Sequence, residues 1–171
     1  MSLKKVLIIE DDLALAKTVK NILTVNGFEP IVTNSGAEGI QKAYEETPDL
    51  ILSDIAMSPI DGYQVYHILN DSFVTCNIPF IFMSGKADLE DIRKGMALGV
   101  DDYIVKPFTN AELLKSINVR LAKYEKLLNG GKSDYQALFN LSPNGVFLFR
   151  GDMITKPTRL SLHLPVSRLT N

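Results

Sequence analysis

Short apolar runs that alternate with segments of helical spacing constrain the fold of this chain more than any other feature of its sequence. A continuous apolar run is typical of a strand that helices cover on both faces. Because strands and helices alternate, the sequence predicts a parallel sheet between two layers of helices, an α/β doubly wound fold. Five segments are predicted as strands: 6–9, 28–33, 50–53, 78–83 and 103–105.

Five helices are predicted between and after these strands. Gly27 and Gly99 lie where two helical patterns stop, and Thr109 with Glu112 forms a capping-box pattern at the start of the last helix. An apolar stripe continues along that helix to Leu128. The predicted helices cover 12–26, 35–46, a segment that ends near 70, 88–98 and 109–128.

Composition excludes several classes of protein. A net charge of -2 gives no strong field toward nucleic acid or a membrane surface. No apolar run reaches the roughly 18 residues that span a bilayer, and the N-terminus lacks the pattern of a signal peptide. Cys76 is the only cysteine, so an internal disulfide is excluded. We therefore expect a cytoplasmic protein without a membrane or nucleic-acid partner.

Polar residues follow four of the predicted strands at their carboxyl ends. In a parallel sheet these ends meet at one edge, where the ligand crevice lies. Crowded carboxylates repel one another unless a cation joins them, and oxygen donors in this number suit Mg²⁺. A carboxylate nucleophile beside such an ion suggests phosphoryl transfer onto that carboxylate. The residues are Glu10, Asp11 and Asp12, then Asp54, then Ser84, and finally Lys106.

These residues resemble the receiver domain of two-component response regulators, and in particular chemotaxis-regulator-like receivers. The resemblance covers roughly residues 3–125 and implies a flavodoxin-like (βα)5 fold with strand order 2-1-3-4-5. The matching motifs are Asp11-Asp12, Asp54, Asp61-Gly62, Ser84, Gly99-Val100-Asp101-Asp102-Tyr103 and Lys106-Pro107-Phe108.

The resemblance implies that Asp54 accepts a phosphoryl group from a sensor histidine kinase or a phosphotransfer protein. Mg²⁺ would be held by Asp11, Asp12, Asp54 and the backbone carbonyl of Ala56. The chain would be a phosphoacceptor switch that catalyses only its own phosphorylation and dephosphorylation, and not an enzyme with a separate substrate.

The resemblance also implies how the switch moves. Lys106 and Ser84 would contact the phosphoryl group, Tyr103 would turn inward behind it, and the Lys106–Pro107 bond would be cis. Contacts made in one state only would shift the equilibrium between two conformations. The responding face would combine the fourth helix, the fifth strand and the fifth helix, and it would regulate a partner, an output domain or a homodimer.

Several alternatives stay open at the level of sequence. Asp11 and Asp12 are also typical of a helix N-cap, and Asp101-Asp102 is typical of a solvated loop pair. A hydrolase with an aspartyl-phosphate intermediate is a second possible function, although haloacid-dehalogenase-like phosphatases need an acid where Ala56 stands. A pseudo-receiver scaffold that never takes phosphate is a third, and the complete set of site residues argues against it.

The composition changes close to residue 129. Residues 1–126 carry a net charge of -5, whereas residues 127–171 carry +3. A glycine-containing segment at 129–133 is predicted as a linker after a receiver domain over 1–128. Residues 134–171 resemble the opening of a PAS sensor domain but are too few to complete one, so we expect a short C-terminal extension.

Overall fold

Five parallel strands form the central sheet of the N-terminal part of the chain. The computed structural model describes residues 3–85, 100–141, 149–150 and 153–154, with side chains as far as residue 126. The strand order is β2-β1-β3-β4-β5 and all four pairings are parallel, which confirms the predicted fold class and order. The strands are β1 (Lys4–Ile9), β2 (Phe28–Thr33), β3 (Leu50–Asp54), β4 (Phe80–Ser84) and β5 (Asp102–Val105).

The described helices are α1 (Leu13–Val25), α2 (Gly36–Glu46), α3 (Gly62–Asn70) and a C-terminal helix (Asn110–Leu141). Their first turns begin where a side chain can accept a hydrogen bond from an otherwise unpaired backbone N–H. Asp12, Ser35 and Asp61 do so for α1, α2 and α3. The predicted helix over 88–98 lies outside the described residues.

Two apolar clusters lie on the two faces of the sheet, because successive side chains of a strand point to opposite faces. On β1, Val6 and Ile8 join the cluster beneath α1 and the C-terminal helix, whereas Leu7 and Ile9 join the cluster beneath α2 and α3. All four side chains are fully buried, and each contributes about 1.5–3 kcal/mol of transfer free energy. The sheet is thereby fixed between two helical layers, and its carboxyl ends share one edge.

The chain divides into two compact units, Met1–Lys126 and Leu127–Asn171. The C-terminal helix continues through 129–133, where the sequence predicts a linker. Two glycines in a helix interior cost about 1 kcal/mol each relative to alanine, a cost that the helix-forming residues on either side can offset. The second unit also contains an antiparallel pair of short strands, Phe149–Arg150 and Met153–Ile154. Its relation to a PAS domain stays a prediction.

Among the described residues, no helix combines the length and the apolar character needed to cross a bilayer.

Candidate functional site

The carboxyl edge of the sheet brings together residues that lie far apart in sequence. Asp54 ends β3 and pairs with Met83 of β4, and Ser84 pairs with Val105 of β5. Asp54 and Ser84 are buried residues, with relative exposures of 5% and 6%. Lys106 follows β5 directly. Parallel register therefore places an acid, a hydroxyl and an ammonium group at one edge, as the sequence predicts.

The Lys106 ammonium lies between two buried carboxylates. Its Nζ donates to Asp54 Oδ1 at 2.9 Å and to Glu10 Oε2 at 2.5 Å. Burial lowers the pKa of Lys106, but the hydrogen bonds and charges of Asp54 and Glu10 outweigh that effect and raise the pKa above its ordinary value. The ammonium is thus charged at neutral pH. The Lys106–Pro107 peptide bond is cis, the form that the resemblance implies.

Glu10 belongs to an acidic cluster with Asp11 and Asp54. One carboxylate oxygen of each residue lies within 4.8 Å of the others, a spacing that could hold a metal ion. Glu10 is 1% exposed. Burial raises the pKa of its carboxyl above the ordinary value, and Lys106 offsets this effect only in part. The cluster offers oxygen donors only, which are the ligands that Mg²⁺ prefers.

Asp12 has a different place from the one expected of a metal ligand. Its Oδ1 accepts from the backbone N–H groups of Ala14 at 2.9 Å and Leu15 at 3.1 Å. This is the N-cap geometry that the sequence left open as an alternative. One oxygen of this carboxylate, Oδ1, is thus engaged at the helix end, and the acidic cluster contains Glu10 and not Asp12. A metal-ligand role for Asp12 stays a prediction.

The backbone around Asp54 is closely packed. Ile55 N donates to Met83 O at 3.1 Å, and Gly62 N donates to Ile55 O at 3.0 Å. A Cβ at Gly62 would lie 2.2 Å from the carbonyl oxygen of Asp54. The start of α3 therefore rests directly on the main chain of the acidic residue. Ala56 is exposed in the loop after β3, and its carbonyl as a metal ligand stays a prediction.

Ser84 ends β4 at the site edge, and Tyr103 lies within β5. The carbonyl of Ser84 accepts from the backbone N–H of Lys106 at 2.7 Å, which fixes the strand that carries the lysine. Tyr103 packs against the cluster beneath α2 and α3, and its hydroxyl oxygen is buried. The predicted movement of both residues on phosphorylation stays a prediction.

A surface cavity of about 420 Å³ lies beside Lys106, between α1 and the segment after β5. Its walls are largely apolar. The lining residues are Asp12, Leu15, Thr18, Ile22, Lys106, Pro107, Phe108 and Asn110.

The chain was compared with known protein families and solved structures. Residues 6–118 match the family model of the response regulator receiver domain. The chain belongs to this family. A receiver of this kind acts in two-component phosphorelay signalling. The crystal structure of a CheY-like receiver domain protein from Methanospirillum hungatei JF-1 is similar, with a TM-score of 0.68 and 31% identity over 73% of this chain and 98% of that one.

Curated relatives of the receiver are longer proteins. A probable transcriptional regulator, ycf29 of Pyropia yezoensis, is 35% identical over 77% of this chain and 61% of its own length. The DNA-binding response regulator MtrA of Mycolicibacterium smegmatis is 30% identical over 71% of this chain and 52% of its own length. The chain thus spans about half to three fifths of the curated relatives it matches.

Sequence reasoning missed two features of the receiver. The ion pair of Glu10 with Lys106 was not expected, although a buried acid at the end of an apolar strand is a signal for a charged partner. Asp101 and Asp102, expected as a solvated loop pair, are partly buried and bonded to the C-terminal helix. An acid at the start of a strand, facing a basic residue on the next helix, gives little sequence signal.

Proposed function

We propose that Asp54 is the phosphoacceptor of this receiver and that Lys106 donates a hydrogen bond to the phosphoryl group. The observation that carries the proposal is the 2.9 Å contact between Lys106 Nζ and the buried Asp54 carboxylate, on the edge of the sheet that also holds Glu10 and Asp11. A charged ammonium at this distance can contact an oxygen of a group attached to Asp54. The Ser84 hydroxyl, at the end of the next strand, is the second candidate contact.

The acidic cluster fits Mg²⁺ by the chemistry of its donors. Glu10, Asp11 and Asp54 would hold the ion, with the Ala56 carbonyl as a further ligand. The bound ion would supply positive charge that stabilises the phosphoryl oxygens during transfer. Asp12 is assigned to the helix cap instead, because its Oδ1 already accepts two backbone hydrogen bonds and the acidic cluster is formed by the other three residues.

Phosphorylation would replace one carboxylate by a group with about 1.5 to 2 negative charges. Lys106 and Ser84 would make different contacts in the two states, and only such a difference can shift the population. Tyr103, on the neighbouring strand, would change its position together with Ser84. The face formed by the predicted helix over 88–98, β5 and the C-terminal helix would then bind a partner, an output domain or a second copy of the chain.

The donor would be a sensor histidine kinase or a phosphotransfer protein. The cavity beside Lys106 supports this part of the proposal, because Leu15, Ile22 and Phe108 offer apolar contacts next to the acceptor edge. The relative MtrA is named as DNA-binding, and a DNA-binding output would be a property of a longer protein. For this chain a cytoplasmic location, a switch role without substrate turnover and the lack of a nucleic-acid partner stay predictions.

Incubation with acetyl phosphate and Mg²⁺, followed by intact-mass measurement, tests the proposal. We expect one added phosphoryl group on the native chain and none on Asp54→Asn. Asp71→Asn is the matched control, because Asp71 is an exposed aspartate at the end of α3 and its loss should leave the modification unchanged. Modification of Asp54→Asn to the native extent would contradict the assignment, as would steady hydrolysis of phosphomonoesters without a stable adduct.

A further inference from the structure

A second cavity lies at the amino ends of the strands, on the edge of the sheet opposite to the acidic cluster. Its volume is about 120 Å³, which is room for about four water molecules. Phe80, the first residue of β4, lines it, whereas Ser84 ends the same strand at the phosphoacceptor edge. About 13 Å of strand therefore separates the two sites, and no residue of the acidic cluster lines the cavity.

Asp101 gives this cavity its charge. Among the described lining residues it is the only one with a carboxylate or a cationic group, and its side chain is 12% exposed. Burial and the charge of Asp101 raise the pKa of Tyr66, another lining residue, above its ordinary value. A carboxylate in such a sheltered space attracts a cation more strongly than one in open water does.

The two oxygens of the Asp101 carboxylate differ in their partners. Oδ2 accepts from the Tyr124 hydroxyl at 3.2 Å and from the backbone N–H of Phe80 at 3.1 Å. Oδ1 accepts no hydrogen bond from the residues whose side chains the structure describes, and Lys123 Nζ lies 3.6 Å from it. This lysine is 54% exposed, so it is held weakly. A ligand with N–H donors can therefore bind Oδ1 by displacing Lys123.

We propose that the cavity binds a guanidinium group. A guanidinium ion fits a space of about four water molecules, and its planar fork of N–H donors matches a carboxylate. It is also more weakly hydrated than an ammonium ion, which favours entry beside the buried residues Leu69, Thr75 and Phe80. Thr75 Oγ1 donates to Leu69 O and can still accept from a ligand. A free small molecule and an arginine side chain of a partner both offer this group.

Titration of the isotope-labelled full chain with methylguanidinium, followed by heteronuclear NMR, tests the inference. The Phe80 amide is the reporter, because it donates to Asp101. We expect its resonance to shift and to saturate with a dissociation constant on the order of 1 mM. Tetramethylammonium is the matched cation, since it has the same charge and a similar size but no N–H donor, and it should leave the resonance unchanged.

A parallel titration with N-acetyl-arginine amide distinguishes the two sources of the group. Binding at least as tight as that of methylguanidinium indicates an arginine side chain of a partner. Weaker binding indicates a free small molecule.

Two variants should change the affinity for methylguanidinium in opposite directions. Asp101→Asn keeps an oxygen that can accept from Phe80 but loses the charge, and it should weaken binding about tenfold or more. Lys123→Gln removes the competing cation and should strengthen binding about two- to fivefold. Glu125→Gln is the matched control, because Glu125 pairs with Lys4 and does not line the cavity, and it should bind as the native chain does.

Several outcomes would overturn the inference. They are a shift that does not saturate below about 20 mM, an equal shift with tetramethylammonium, and shifts confined to the amides of Glu10 and Asp11. Native affinity in a folded Asp101→Asn variant contradicts it as well. If Asp101→Asn loses its helical circular dichroism, Lys123→Gln decides, and native or weaker binding by that variant overturns the inference.

Discussion

The variant Gly62→Ala should show whether the position of Asp54 affects phosphorylation independently of the overall stability of the receiver. The added Cβ would lie 2.2 Å from Asp54 O and 2.9 Å from Ile55 Cα. Both contacts are with backbone, so no side-chain rotation can relieve them, and the start of α3 and the end of β3 must separate by about 1 Å. Overpacking of this kind costs about 1–3 kcal/mol. A displacement of about 1 Å at a reacting group slows its reaction by up to about 10².

The assay measures the free energy of unfolding by urea titration and the phosphorylation rate with acetyl phosphate by intact mass. Gly27→Ala is the control, because Gly27 has φ of +81° and no atom within 4 Å of the added Cβ. It should lose about 1–2 kcal/mol of stability through its backbone conformation alone and phosphorylate at the native rate. Equal rates for the two variants, at equal fractions folded, would refute the argument that Gly62 positions Asp54.

Two further predictions follow from the cap of α1 and from Tyr124 in the C-terminal helix. Asp12→Ala should lower the free energy of unfolding by about 1 kcal/mol, whereas Asp12→Asn should keep it within a few tenths because asparagine caps equally well; urea titration distinguishes them. Burial and the charge of Asp101 raise the pKa of Tyr124 to about 12. The unfolded chain loses this proton near pH 10, so the native free energy of unfolding should fall as the pH rises from about 10 to about 12. Tyr124→Phe should lack that component in the same titration, and parallel curves for the two proteins would contradict it.

Most of the fold could be predicted from the sequence, because the local apolar runs and the overall alternation of strands and helices indicate the same arrangement. The apolar runs identify β1, β3 and β4, and the end of each run predicts where Asp54 and Ser84 lie. Parallel pairing then gathers the strand ends at one edge, and this follows from topology alone. The predicted strand over 103–105 begins one residue later than β5, because Asp102 has low strand propensity and is held there by contacts with a distant helix.

The sequence could not predict which of the acids after β1 joins the acidic cluster and which one caps α1. Glu10, Asp11 and Asp12 are adjacent and similar in charge, so their spacing cannot tell which side chain points into the sheet edge and which caps α1. The cap is a local backbone property of Asp12, whereas the burial of Glu10 depends on Lys106, which lies 96 residues away. Long-range ion pairs of this kind leave no periodic signal in a sequence.

Titration of the metal-free chain with Mg²⁺ tests most directly whether Glu10, Asp11 and Asp54 form one site beside Lys106. The affinity is measured by calorimetry for the native chain and for Glu10→Gln, Asp11→Asn and Asp12→Asn. Each of the first two variants removes a carboxylate of the cluster and should weaken binding about tenfold or more. Asp12→Asn should bind Mg²⁺ as the native chain does. A loss of affinity in Asp12→Asn, together with native affinity in Glu10→Gln, would contradict the account.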